Sequence, residues 1–319
     1  ISDINKSALD IYDYLKIKKF LNYEDMFKEN IIDSVVIITN ASIHEKIINC
    51  ALKYKLNIFV EKPYTLNLQS CNLIEKNLYK NNKLMIGHTY LFNSNVIYIK
   101  NFIKNKMDHI TTIYFEWSCY GPIREDTTPI FDLAVHPLSI LLWLFPNSII
   151  TDINSIKSLS NNTYFITFKI NEILVSMNIS WSSPGKTRKM IINNDKIKLV
   201  FDDVSNIKPI EIMYINQKNK TNYLNTQYQI KSDGLIITPE IKQMEPLTEQ
   251  FNHWLNYINN NISCESDHYF SKKVINFLEK FDKIEKQPVI CIAGKSSIST
   301  YGLKLIHKYY NNTHKIVYL

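Results

Sequence analysis

Short β-branched runs alternate with amphipathic stretches from Ser34 to Ile86, the rhythm of βαβ units that build a parallel sheet. The predicted strands are Ser34-Val35-Val36-Ile37-Ile38, Asn57-Ile58-Phe59-Val60 and Lys83-Leu84-Met85-Ile86. Between them, His44 to Lys55 sets Ile47, Ile48, Ala51 and Leu52 on one helical stripe, and Leu68 to Tyr79 repeats the pattern with Leu73, Ile74 and Leu78. Each helix can cover one face of the sheet. From Ile110 the period changes. Thr163 to Lys169 and Ile173 to Trp181 alternate as antiparallel strands do, with one helix predicted near Phe131 to Leu144. After a helix over Ser271 to Ile284, the stretch Pro288 to Ser297 restarts a strand, loop and helix, and Lys315 to Leu319 reads as another strand.

The expected class is therefore α/β plus α+β, in three parts. Residues 1–106 form a parallel-sheet domain, 107–285 a substrate domain with a mainly antiparallel open sheet, and 286–319 a partial βαβ unit that opens a further domain. With 319 residues, 45% hydrophobic and 21% charged, the chain can bury two ordinary cores. No apolar run approaches the ~18 residues of a membrane span, and the start lacks a basic segment leading into an apolar one, so the expected compartment is the cytoplasm. Five scattered cysteines with no Cys-x-x-Cys pair argue against a disulfide framework or a zinc site. No histidines and carboxylates fall at metal-ligand spacing, so no metal is expected. The formal charge of +7 is dispersed, which favours a solvated surface over nucleic acid. Only Arg124 and Arg188 are arginines in a chain rich in lysine, asparagine and isoleucine.

Glu61-Lys62-Pro63 follows directly on a strand, so Lys62 stands at the carboxyl edge of the sheet, where open α/β sheets bind ligands. Pro63 biases Lys62 toward an extended backbone. A partly desolvated lysine there can share a hydroxyl proton, although the same three residues also suit a plain charged turn. Asp132 and His136, four apart, share a helix face, and the carboxylate can orient the imidazole or hold it protonated; a polar pair without catalytic duty fits too. His88 ends a strand on the same edge, either lining a pocket or satisfied locally. His253 and His268, with only helix-surface neighbours, receive no role. Pro184-Gly185 suggests a hairpin turn presenting Lys186, Arg188 and Lys189, to meet a carboxylate or phosphate or simply to be solvated.

The order Ile32-Asp33-Ser34-Val35-Val36-Ile37-Ile38-Thr39-Asn40-Ala41-Ser42-Ile43-His44, Glu61-Lys62-Pro63, Ile86-Gly87-His88 and Phe131-Asp132-Leu133-Ala134-Val135-His136 resembles the Gfo/Idh/MocA oxidoreductases over about residues 1 to 285. The resemblance implies a Rossmann-type dinucleotide domain and hydride transfer between a sugar hydroxyl and NAD(P), with Lys62, His136 and Asp132 catalytic. It also implies Thr39, Asn40, His44, Glu61, Lys62 and His88 at the dinucleotide, a small-molecule substrate, and a homo-oligomer. Asp3 takes the place of the ribose-binding acid, favouring NAD over NADP, since a carboxylate repels a 2′-phosphate. Ile179 to Lys189, Phe201-Asp202-Asp203 and Met244-Glu245-Pro246-Leu247 further resemble the branch that oxidises C3 of UDP-linked N-acetylamino-sugar uronates, a step of surface-polysaccharide sugar biosynthesis. There Lys62, His136, Lys186 and Arg188 contact the sugar nucleotide.

No Gly-x-Gly-x-x-Gly occurs, and the chain opens at what reads as the tip of a second strand. The expectation is an N-terminally truncated Rossmann-type sheet: a first strand, glycine turn and helix belong upstream, and residues 1–319 alone hold NAD(H) weakly. Val289 to Leu319 resembles the opening of formyltransferases acting on nucleotide-linked amino sugars, which points to part of a bifunctional polypeptide. The competing expectation is a non-catalytic sugar-binding or regulatory protein.

Overall fold

The computed structural model describes residues 1–79, 82–215, 220–223, 226–229, 234–283, 289–292 and 315–318. Two short helices, α1 (Lys6–Asp10) and α2 (Tyr23–Lys28), open the chain; asparagines 5 and 22 cap them by accepting the backbone N–H of Ser7 and Glu24. Strands β1 (Ser34–Ile37), β2 (Asn57–Glu61) and β3 (Leu84–Gly87) then form a parallel sheet in that order. Helix α3 (His44–Lys53) buries Ile47, Ile48, Ala51 and Leu52, and α4 (Leu68–Asn77) buries Cys71 and Ile74. β2 is the central strand, and Ile58, Phe59 and Val60 are all buried because both its faces are covered.

Helix α5 (Ser94–Lys106), capped by Asn93, leads into a second sheet. Its strands are β4 (Thr112–Tyr120), β5 (Ile150–Lys157), β6 (Thr163–Ile170), β7 (Ile173–Ser180), β8 (Ser182–Asn193), β9 (Ile197–Asp202) and β10 (Ile210–Tyr214). A hairpin of β11 (Lys220–Tyr223) and β12 (Thr226–Gln229) precedes β13 (Ile236–Ile237), which pairs with β10. The order is β13-β10-β9-β8-β4-β7-β6-β5, antiparallel throughout except that β4 runs parallel to β7. Strict alternation puts Ile113, Phe115 and Trp117 of β4, Val175, Met177 and Ile179 of β7, and Met190 and Ile192 of β8 into the core. The turn Ile130–Ala134 packs on β4 and β7 and leads into α6 (Val135–Leu144), apolar almost all round and almost wholly buried.

Two helices tie the sheets together. α7 (Pro246–Asn260), capped by Glu245, sets Trp254 edge-on to Phe59 of β2 at 6.1 Å. α8 (His268–Lys283) packs Phe281 against Phe168 of β6, while the segment before it bonds β3 through Ile86 N–H to the Ser266 carbonyl (2.9 Å). Residues 246–283 thus touch both sheets rather than the second alone. At the far end β14 (Val289–Ile292) pairs in parallel with β15 (Lys315–Tyr318); the rest of that expected βαβ unit lies outside the described residues.

The expected hairpin turn at Pro184-Gly185 is not there. Both residues lie within β8, where the pairing with β4 jumps from Ser118–Thr187 to Tyr120–Ser182. The jump leaves a bulge in which proline, having no N–H, removes no ladder bond.

Candidate active site

The carboxyl end of β2 meets the turn before α6, beside the ends of β4, β7 and β8 in the second sheet. Lys62 follows β2, and its amine donates to the Asp132 carbonyl (3.0 Å) and to Asp132 Oδ1 (3.1 Å). Asp132 sits in a π-turn, Ile130–Ala134, that precedes α6. Five residues on, where such a turn takes its donor, stands Pro137, which has no N–H, so the Asp132 carbonyl is open to a side chain. The other carboxylate oxygen, Oδ2, accepts the indole N–H of Trp181 at 3.0 Å. Arg124 lies behind, holding Asp126 through Nε and Nη2 (3.0 and 2.8 Å) and placing Nη1 3.8 Å from Asp132 Oδ1.

Asp132 therefore serves Lys62, not His136 as the four-residue spacing suggested. His136 instead lies against Tyr90, ring centroids 5.1 Å apart. Burial, and then the charges of Lys62 and Arg188, hold its pKa well below the ordinary value, so the ring is neutral rather than held protonated. His88, buried against Ser271 Oγ (3.2 Å) and Phe270, is pushed down to about 3 by burial and by Lys62, and its Nδ1 has no hydrogen-bond partner. Tyr90 packs on Trp117 (5.2 Å) and donates to Asp203 Oδ2 (2.8 Å); Asn93 donates to the other oxygen (3.2 Å). Burial raises the Tyr90 hydroxyl far above its usual range, so it is a fixed donor and not an acid.

Several expected assignments change. Arg188 is not on a turn: it is 9% exposed, its Nη1 donates to the Ser118 and Thr187 carbonyls (both 2.8 Å), and it lies 5.7 Å from the Trp117 ring centre. It forms part of the wall around His136. Lys186 is exposed on the β8 bulge, and Lys189 pairs with Asp202 (3.2 Å). His44 is fully buried, with Nδ1 2.9 Å from the Pro63 carbonyl and Nε2 3.0 Å from the Thr39 carbonyl, which leaves neither nitrogen for a dinucleotide. Burial lowers its pKa, and a neutral ring donates to only one of the two oxygens at a time. It ties the end of β1 to the turn after Lys62. His268 is no surface residue either: 2% exposed, its Nδ1 meets the Tyr64 hydroxyl at 2.7 Å.

Thr39 and Asn40 stand exposed at the end of β1, and Asp3, also exposed, accepts the Asn5 N–H (2.7 Å). Glu61 folds back beside β3: a Cβ on Gly87 would come within 3.0 Å of its carboxylate, which is why glycine suits that position. Burial raises the Glu61 carboxyl above the usual range. Among the described residues no group of three or more His, Cys, Asp or Glu side chains is arranged to hold a metal ion. Trp181, Tyr90, Asn93, Asp203 and Arg124 were not singled out as site residues from sequence. The available signals were the scarcity of arginine, since both arginines fall here, and the segments 179–189 and 201–203 that carry the finer resemblance and contain Trp181 and Asp203.

Replacing His44 by alanine should cost about 1–3 kcal/mol, because it strips a buried carbonyl of its donor. Urea unfolding of the two proteins measures it; equal midpoints and slopes would show that the tie contributes nothing.

Residues 1–88 match the model of the Gfo/Idh/MocA oxidoreductase family with its NAD-binding Rossmann fold. A search of curated protein sequences finds no match. Among solved structures, the UDP-N-acetylglucosamine 3-dehydrogenase GnnA from Acidithiobacillus ferrooxidans is similar at 17% identity and a TM-score of 0.72, over 88% of this chain and 87% of that one. An NAD-binding protein from Listeria innocua aligns at 15% identity and 0.75, again over 88% and 87%. GenD2 from gentamicin A biosynthesis, solved in complex with NAD, aligns at 14% and 0.70, over 87% and 83%. Residues 1–88 thus match the NAD-binding Rossmann domain of the Gfo/Idh/MocA oxidoreductase family, and the chain shares the overall fold of these solved proteins.

Proposed function

We propose that the substrate is a nucleotide-linked sugar, oxidised at a secondary hydroxyl, with C3 of an N-acetylamino sugar or its uronate the preferred position. The observation that carries this reading is the Lys62 amine, held by two oxygens of Asp132 and close enough to the neutral His136 to depress its pKa. That is one hydrogen-bond donor and one neutral base at a single sheet edge. The similarity to a UDP-N-acetylglucosamine 3-dehydrogenase supports the substrate class. We read residues 1–106 as the dinucleotide domain and 107–285 as the substrate domain.

The exposed Thr39 and Asn40, with the Lys62 turn beside them, give the carboxyl edge of the sheet the polar groups a dinucleotide needs, so the residues present fit NAD. NAD, when bound, accepts the hydride from the carbon that carries the reacting hydroxyl. Lys62 hydrogen-bonds the hydroxyl oxygen and shares its proton as the carbonyl forms. His136, kept neutral by burial, takes the proton that leaves or orients the hydroxyl toward Lys62. Arg188 and Tyr90, both fixed by hydrogen bonds, wall the pocket beside His136 and help exclude water.

The protein is expected to reduce NAD+ with UDP-N-acetylamino sugars or their uronates, followed by NADH absorbance. Turnover with free sugars or inositols alone would overturn the nucleotide-sugar reading.

A further inference from the structure

Asp132 has two cations within reach of one oxygen. Lys62 Nζ is 3.1 Å from Oδ1, and Arg124 Nη1 is 3.8 Å from the same atom. A carboxylate turns easily about its last bond, since that torsion is broad and two-fold. Some third contact must fix the face it shows to Lys62. The candidate is the indole of Trp181, which is a donor only and so can meet nothing but an acceptor. Its N–H reaches Asp132 Oδ2 at 3.0 Å.

The indole itself cannot wander. Trp181 is the single residue between β7 and β8 and is 3% exposed. Its backbone N–H donates to the Asn162 carbonyl (2.8 Å), and its carbonyl accepts from Gly121 (2.9 Å), the residue that opens the loop carrying Arg124. Strand register therefore sets where the N–H points. A hydrogen bond to a charged acceptor in this buried setting is among the strong ones.

We propose that Trp181 is a positioning residue for catalysis: its N–H holds Asp132 so that Oδ1 and the main-chain carbonyl together seat the Lys62 amine. The inference rests on the reading of Lys62 as the group that acts on the substrate hydroxyl. Without the indole N–H, Asp132 is free to turn toward Arg124, and Lys62 loses its seat while remaining in place along the chain.

The test uses Trp181→Phe, together with 3-benzothienylalanine at position 181, which replaces the N–H by sulfur and keeps the ring shape should phenylalanine fail to fold. Two quantities are read. The first is the rate at which Lys62 is labelled by a small amine-reactive reagent, located by peptide mass spectrometry; it needs no substrate and so stands even if the sugar assignment fails. Labelling should accelerate by about threefold or more, as an amine released from one charge-assisted bond would. The second is kcat, expected to fall about 10- to 100-fold with NADH affinity unchanged. Added to Asp132→Asn, the change should cost nothing further, because both act through one carboxylate. Unchanged labelling of Lys62 overturns the proposal, and so do losses that multiply in the Asp132→Asn background, which would mark Trp181 as mere packing.

Discussion

Lys62→Met is expected to lower kcat by about a hundredfold or more while NADH binding stays nearly intact. A group that acts on the transferred proton contributes mainly in the transition state, so binding and turnover should separate. Methionine fills the space of the lysine stem but gives nothing to the two Asp132 oxygens that now hold the amine. Arg124, 3.8 Å from Oδ1, is the nearest cation to take up that oxygen, so the cost in stability should be small beside the cost in rate. Lys62→Arg should recover little, since a guanidinium keeps its proton near neutral pH. His136→Asn separates two roles: a loss as deep as that of Lys62→Met marks His136 as the base, and a mild one marks it as a guide for the hydroxyl. Steady-state kinetics with NADH fluorescence titration reads all three. Wild-type turnover by Lys62→Met would remove Lys62 from the chemistry.

The protein should lose stability steeply between pH 6.5 and 5, before most carboxylates titrate. His88 is held neutral down to about 3 by burial, and burial lowers His136, His44, His268 and His253 as well. In the unfolded chain these rings protonate near 6.5, so below that pH the unfolded state binds more protons than the folded one, and stability falls as pH falls. The contribution is fully present above the unfolded value and is lost on the way down to each folded value. At pH 5, His88 alone accounts for about 2 kcal/mol, and the others add in the same direction. Glu61, raised by burial, works the other way, but only near the ordinary carboxylate range. Urea unfolding at pH 7.5 and 5 measures the difference. His88→Gln should flatten the slope, and equal stability at both pH values would mean these rings are charged in the folded protein.

The parallel sheet was readable because its signals are local: Val35, Ile37, Ile58 and Val60 sit in runs that only a buried strand explains, and the α3 stripe repeats at the helical period. Lys62 at the edge followed from the same count. What failed depends on contacts far apart in sequence. Asp132 and His136 do share a short segment, but the partner of Asp132 is Lys62, seventy positions away, and its second partner, Trp181, is forty-nine away. No spacing rule reaches that far. His44 carried a family signal, yet its nitrogens are taken by backbone carbonyls that no sequence pattern displays. Pro184-Gly185 misled because a turn and a bulge both tolerate a residue without an N–H.

The parallel pairing of β4 with β7 has a consequence for how the molecule assembles. β5, β6 and β7 are successive antiparallel neighbours, so each can zip up on the strand just made. β4 cannot: its partners on either side lie about sixty and eighty residues later, and closing such loops is what slows folding. During synthesis the β4 backbone carrying Ile113, Phe115 and Trp117 has no strand partner until β7 emerges, and is paired on both sides only after β8. The centre of the sheet thus forms only after its β5–β7 side, and until β7 emerges the nascent chain carries a sticky strand open on both edges.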